Sequence, residues 1–261
     1  MGHWRAFASR RVVGDALLAV AGAGLVVVGW EILQLARDVH AGTIGVDFHT
    51  YESATRQWLA GGDFYRPRQL VGPYAIQGAS TSYSGDILYP PSAILLFLPF
   101  LVLPAVLWWA IPLGIVGYVV WRHRPARWSW PLLVLCLAWP ITLGVVVTGN
   151  PAMWIVAAVA LATLYGWPAV LVLVKPTFAP FALVGVRRRS WWIALGALAL
   201  VSLPFGALWI DWVRAAVLDP TNGGAGYSLA QMPAALVPIV AWAGRTVPPR
   251  DGACPPAQTA Q

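Results

Sequence analysis

The chain has 261 residues, of which 59% are hydrophobic and only 10% charged, with a mean hydropathy of +0.67 and a formal net charge of +7. An average soluble domain carries roughly 25% charged residues, so these figures argue against a disordered chain, a disulfide-rich scaffold and a soluble nucleotide-binding enzyme. They describe an integral membrane protein, and at about 20 apolar residues per span the length holds about six or seven crossings.

The excess of base, sixteen Arg and one Lys against ten acids, marks cytoplasmic loops rather than a nucleic-acid partner. Cys136 lies in an apolar run and Cys254 in a Pro-rich tail, so no disulfide is expected.

In chain order, Arg5, Arg10 and Arg11 precede an apolar run over 12–36 that only Asp15 and Glu31 interrupt. It is too long for a signal-peptide core, so it is expected to be an uncleaved first span with a cytoplasmic N-terminus. Hydropathy then falls over 37–90, which holds Asp38, Asp47, Glu52, Asp63 and Asp86 and is expected to form one long extracytoplasmic loop. Within it Phe48, Tyr51, Trp58 and Leu59 recur near helical spacing. That predicts an amphipathic helix on the membrane surface, starting at Asp47 and stopping at Gly61.

The run over 91–121 carries Pro99, Pro104 and Pro112. It is expected to dip into the membrane and then cross it, delivering Arg122, His123, Arg124 and Arg127 to the cytoplasm. Residues 131–165 are predicted to form a helical hairpin turning outside at Thr148, Gly149, Asn150 and Pro151. The run over 167–186 has Lys175 and Pro176 at its middle and ends at Arg187, Arg188 and Arg189. Both of its ends favour the cytoplasm, which implies a re-entrant hairpin. Two last runs, 191–209 and 229–242, flank a polar loop holding Asp211, Arg214, Asp219 and a turn at 221–224. The many Trp at run ends fit interfacial belts. The fold expected is all-α, a polytopic transmembrane bundle forming one membrane domain over 1–245, with a disordered Pro-rich tail over 246–261.

No P-loop, H-E-x-x-H or G-x-S-x-G motif occurs, so ATPase and hydrolase readings lack support. No cluster with metal-ligand spacing occurs either, and no cofactor is implied. His49 is two residues from Asp47, so on a helix the two side chains diverge. Asp47 has two compatible readings: an N-cap for the loop helix, or a carboxylate acting as general base at the mouth of a membrane cavity. Lys175 either snorkels from the hairpin or meets a phosphate, since an ionisable group in an apolar run costs about 2.5 to 3.5 kcal/mol to insert. Tyr89-Pro90-Pro91 serves a helix start, and Asn150 serves a turn or a ligand.

Taken in order, these segments resemble the GT-C superfamily of membrane glycosyltransferases, and within it glycosyltransferase family 87, the polyprenol-phosphate-mannose-dependent mannosyltransferase-like proteins. The resemblance rests on Asp47, Phe48 and Tyr51 at the start of the outer loop, then Gly61 and Tyr65, then Tyr89-Pro90-Pro91. Gly149-Asn150 follows between two spans, and Lys175-Pro176 precedes a basic cluster. It implies a GT-C-like bundle with short and re-entrant helices around an outward-facing cavity. The implied activity is transfer of a sugar, by the family's default mannose, from a polyprenyl phosphate donor to an extracytoplasmic lipid or glycan acceptor. The displacement is inverting, with Asp47 as base and Lys175, Arg56, Arg66 and Arg68 as candidates to meet the phosphate. Tyr51, Tyr65, Tyr89 and Asn150 complete the expected substrate-binding set.

The chain departs from the family where several further spans usually follow, and where its central turn reads Gly149-Asn150 rather than the usual Gly-Gln. A non-catalytic membrane subunit with a partner, or a transporter of a lipid-linked sugar, therefore stands as the alternative.

Overall fold

The computed structural model describes residues 2–41, 44–70, 87–217 and 229–246. Every named element among them is helical, with one isolated bridge between Pro125 and Arg245. The helices are α1 (Gly2–Ala41), α2 (Val46–Leu59), α3 (Pro67–Leu70), α4 (Ile94–Phe97), α5 (Val106–His123), α6 (Trp130–Leu137), α7 (Pro140–Val147), α8 (Ala152–Tyr165), α9 (Ala179–Ala182), α10 (Arg189–Ser202), α11 (Gly206–Trp212) and α12 (Met232–Ala243). An all-helical result is what hydrocarbon demands, because a helix satisfies its backbone polar groups within itself.

Two stretches are long and apolar enough to cross a membrane, Leu17–Arg37 and Arg189–Ala216, and the number rises to four if each of two bent pairs is one span. The expected six or seven crossings are therefore not matched by as many full-length helices. Pro91–Leu101 and Val106–His123 meet at 112°, and Arg127–Leu137 and Pro140–Val147 at 63°. Prolines explain both bends: Pro104 lies between the first pair, and Pro140 cannot supply the N–H that would continue α6 into α7. The first bend divides the run over 91–121 into the short turns of Pro91–Leu101 and the long helix α5. Among the shorter apolar helices, α8 has 14 residues and α12 has 12. At 1.5 Å per residue they are about 21 and 18 Å long, below the roughly 30 Å of a hydrocarbon core.

α8 is the centre of the bundle, packed against α5, α12 and the segment Trp167–Val174. Its small residues allow this, since Ala152, Ala157, Ala158, Ala160 and Ala162 are all buried. Trp167–Val174 is a 3₁₀-helix of eight residues, and a rise of about 2.0 Å per residue carries it about 16 Å along α8. The chain then reverses at Lys175 and returns through Pro176–Phe178, α9 and Leu183–Gly185, which packs back against α8 and Trp167–Val174. Lys175 thus sits at the tip of a hairpin whose two ends lie together.

The bundle has two unlike ends. At one, His123 meets Thr163 at 2.7 Å, Arg188 Nη1 donates to the Leu164 carbonyl, and the Ala126 N–H donates to the Gly244 carbonyl. This end gathers Arg122, Arg124, Arg127, Arg187, Arg188, Arg189 and Arg245. At the other, α2 and the α7–α8 turn dock together beneath the segment Ile87–Tyr89.

Two residues of the expected polar loop are helical. Asp211 lies in α11 and Arg214 in the π-helical turn Val213–Val217, paired at 3.6 Å. Asp219 and the turn at 221–224 lie outside the described residues, as do Asp86 and all of the tail beyond Thr246.

Candidate functional site

α2 begins on the α7–α8 turn. The Gly45 N–H donates to the Val147 carbonyl, and the Asp47 and Phe48 N–H groups donate to the Thr148 carbonyl. These bonds satisfy amides that a helix start leaves without intrahelical partners. Gly149 makes the approach possible: a Cβ there would lie 2.8 Å from Trp109 and 2.9 Å from Phe48, at a φ of +68°. Trp108 and Trp109 clamp the same turn by donating to the Gly149 and Val146 carbonyls.

The N-cap expectation for Asp47 is corrected here. The cap position is Gly45, with no side-chain cap bond, and Asp47 lies inside the first turn of α2. Its carboxylate turns toward the α7–α8 turn, where Thr148 Oγ1 donates to Oδ2 at 2.8 Å and Asn150 Nδ2 donates to the same oxygen at 2.7 Å. Both bonds fall on Oδ2, so Oδ1 is the oxygen left to accept another proton.

From Asp47 a polar chain runs through the bundle. The Asn150 carbonyl oxygen accepts from the Tyr89 hydroxyl at 2.9 Å and from the Ala152 N–H at 2.9 Å. Tyr89 OH accepts from Lys175 Nζ at 2.8 Å, and Lys175 also donates to Gln231 Oε1. Every link points the same way, from ammonium to phenol to amide to carboxylate, an alignment in which successive dipoles polarise one another. Lys175 is only 4% exposed, and its ammonium lies 4.7 Å from the centre of the Tyr89 ring. It does not snorkel; the hairpin tip holds it among acceptors and an aromatic face.

The remaining expected site residues divide. Tyr51 packs edge-on against Tyr89 and flat on Phe97. Tyr65 is a strut: its hydroxyl donates to the Tyr89 carbonyl at 2.9 Å. Burial, with Asp211 adding to it, pushes the Tyr65 phenol well above its usual range, so it stays a donor. Arg56 is corrected away from the site. It pairs with Glu52 at 2.8 Å and donates to the Leu101 carbonyl, closing the end of Leu98–Leu101. Nine positions along a helix from Asp47 is a half-turn away, so the two side chains face opposite sides. His49 is on that far side too, against Glu52 at 3.3 Å. Arg66 is exposed and lines a cleft beside α2. The side chain of Arg68 lies outside the described residues.

Sequence reasoning missed five contributors. Thr148 and Gln231 complete the polar chain at its two ends. Gln69 clips the loop: its amide donates to the Ile87 carbonyl and accepts from the Ile87 and Arg66 N–H groups. Trp154, one helical turn beyond Asn150, keeps its Nε1 buried with no partner among the described residues, as does Thr177 Oγ1 two residues past Lys175. Unpaired buried polar atoms are costly, and in the sequence the two stand four positions from Asn150 and two from Lys175.

Trp154 also lines an apolar groove of about 680 Å³ between α10 and the inner elements. One end of the groove is at Ser92 and Val174, immediately beside Tyr89 and Lys175. The other is at Trp167 and Ser190, near the arginines. No group of three metal-ligating side chains is gathered among the described residues.

Comparison with protein-family models, curated proteins and solved structures finds no match to this chain.

Proposed function

We propose that this chain is a membrane glycosyltransferase that moves a sugar from a polyprenyl phosphate donor to an acceptor hydroxyl at the extracytoplasmic face. The observation that carries the reading is the single polar chain joining Asp47, Asn150, Tyr89 and Lys175, four residues from four separate segments. A base and a buried cation at opposite ends of one network suit a displacement that removes a proton at one atom while negative charge grows at another.

In the proposed step the acceptor hydroxyl, held by Oδ1 of Asp47, attacks the anomeric carbon. Its proton passes to Asp47, the new C–O bond forms, and the bond to the phosphate oxygen breaks with its electron pair. Polyprenyl phosphate leaves beside Lys175, whose ammonium and neighbouring Trp154 N–H offset the charge it gains. Attack opposite the leaving group inverts the anomeric centre, through an oxocarbenium-like state of the kind glycosidases stabilise. Thr148 and Asn150 keep the carboxylate aimed, and Tyr89 fixes the Asn150 amide so that its NH₂ faces Asp47.

The groove supports a lipid-linked donor. It is apolar along its length, and its lining residues Ser92 and Val174 stand three positions and one position from Tyr89 and Lys175, which suits a phosphate at that end and an isoprenoid tail along the rest. The arginine end would then face the cytoplasm, as basic loops prefer, and the Asp47 end the outside.

The test uses membranes containing the full chain, a panel of labelled polyprenyl phosphate sugars and envelope extracts as acceptors. The reading expects release of polyprenyl phosphate together with a product of inverted anomeric configuration. A product that retains the donor's configuration would eliminate single displacement by Asp47.

A further inference from the structure

On the outward side of α2 a second cavity, of about 430 Å³, is separate from the apolar groove and shares no lining residue with it. Its construction follows from how α2 ends. Gly61 takes a φ of +86°, its N–H donating to the Trp58 carbonyl while the Gly62 N–H donates to the Gln57 carbonyl. These two bonds form a Schellman motif, which reverses the chain at the helix terminus. Gly62 lies so close that a Cβ would be 2.9 Å from Gln57 Cγ and 3.2 Å from its carbonyl oxygen. The returning segment is then pinned by the Tyr65 hydroxyl on the Tyr89 carbonyl and by the Gln69 clip on Ile87. Asp63 and Arg66 are left facing α2 across a cleft floored by Phe64.

The α2 wall carries Thr50, Ser53 and Gln57. Thr50 Oγ1 donates to the Val46 carbonyl and so presents its lone pairs. The side chains of Ser53, Gln57, Asp63 and Arg66 are not committed to any other described residue. Thr50 and Gln57 follow Asp47 at three and ten positions, so they continue its stripe of the helix, and neighbours three apart have Cβ atoms about 5 to 6 Å apart. The cleft therefore starts one turn from the carboxylate.

Its chemistry is selective. Two hydroxyls and an amide offer mixed donors and acceptors. Among its described lining residues one carboxylate, Asp63, and one guanidinium, Arg66, balance in charge, so these residues give no net attraction for an anion. That combination matches a neutral polyhydroxylated molecule, whose adjacent hydroxyls each donate and accept.

We propose that this cleft is the acceptor subsite, and that it takes a neutral saccharide headgroup with one hydroxyl delivered to Asp47. The assignment to an acceptor rests on the transferase reading above; the affinity for a neutral saccharide does not.

The experiment places the full chain in nanodiscs and measures saturation-transfer NMR with mannotriose and maltotriose as neutral probes and mannose 6-phosphate as the anionic one. Wild type is expected to bind a neutral trisaccharide in preference to the phosphate. The double substitution Ser53→Ala with Gln57→Leu should weaken that binding at least tenfold, and Glu52→Gln, which lies on the side of α2 away from Thr50 and Gln57, should leave it unchanged. Thermal melting of each variant verifies folding, and Gln57→Glu provides a second variant that keeps shape while unbalancing the charge. Absence of saccharide binding by wild type, equal binding by the double variant, or preference for the phosphate would overturn the proposal.

Donor turnover is scored separately. Turnover with an unchanged acceptor KM in the double variant would overturn the cleft and leave the transferase reading standing. Saccharide binding without turnover of any donor would sustain the cleft as a saccharide site and remove the transferase reading.

Discussion

The two ends of the bundle handle charge in opposite ways. At the Asp47 end a carboxylate and an ammonium are joined, through an amide and a phenol, into one chain in which Lys175 is 4% exposed. At the other end arginines predominate, and the bonds they make, such as Arg188 to the Leu164 carbonyl and Arg245 to the Trp242 carbonyl, tie off helix ends. Cations near a helix C-terminus stabilise it modestly and tolerate water. A buried cation needs partners, and the partners chosen here lead to a carboxylate. The difference separates charge that anchors the bundle from the charge that the proposed reaction would use.

Substitutions at the two ends should therefore fail differently. The largest effect is expected at Lys175→Met, which should lower turnover by about 10²-fold or more, as removal of a preorganised charge stabiliser does. Its thermal stability should change by no more than about 1 to 3 kcal/mol, because Gln231 Oε1 loses its donor while the desolvation of a buried ammonium is relieved. A loss of turnover that only follows the unfolded fraction would make Lys175 a structural residue.

Next is Tyr89→Phe, which keeps the packing on Tyr51 but breaks the chain between Lys175 and Asn150. Turnover should fall about tenfold to a hundredfold, with a stability loss of about 1 kcal/mol. Single-turnover kinetics and thermal unfolding read the two effects separately.

Trp154→Phe removes a buried N–H that has no partner among the described residues. The donor KM should rise severalfold while stability is unchanged or improved, since no protein hydrogen bond is lost. An unchanged donor KM would take Trp154 out of the site.

Arg188→Ala tests the other end. It should cost about 1 kcal/mol of stability, the scale of one hydrogen bond to a charged donor at a helix terminus, and leave turnover per folded molecule as in wild type. An equal loss of turnover would erase the distinction between the ends.

The smallest effect is at Glu52. Burial raises its pKa, but the hydrogen bonds and charges of Arg56 and His49 outweigh that and hold it below its ordinary 4.5. A carboxylate depressed on folding contributes stability that is present above the unfolded pKa and is lost as pH falls through the folded value. Glu52→Gln should therefore flatten the stability profile only in that acidic window, as measured by melting temperature against pH.

Much of this architecture is legible in the chain. Pro104 is among the prolines that interrupt 91–121 and marks the first bend, whereas the second, at Pro140, falls inside a run read as one arm of a hairpin. The basic cluster after 186 points to a hairpin over 167–186 with Lys175 near its middle. Asp47, Tyr89, Asn150 and Lys175 each stand out as a polar group beside an apolar run. Their meeting is not legible, because it depends on a 3₁₀-helix that rises faster than an α-helix and so brings Lys175 up to Tyr89.

Gln231 and Thr148 are neutral, common residues whose importance comes only from partners 56 and 101 positions away. Arg56 is the opposite case: its position relative to Asp47 follows from the helical period alone, and charge drew attention that geometry denies. The cap assigned to Asp47 goes instead to Gly45, because backbone carbonyls from the α7–α8 turn reach the α2 amides first.

The central claim is that Asp47 removes the acceptor proton. Its most direct test compares wild type with Asp47→Asn, at matched levels in membranes, for release of polyprenyl phosphate from a labelled polyprenyl phosphate sugar in the presence of acceptor. The account predicts turnover by wild type and a loss of about 10²- to 10⁴-fold in the variant, with the Asn side chain still able to accept from Thr148. Equal turnover by the two proteins, or none by wild type across the panel of donors, would contradict it.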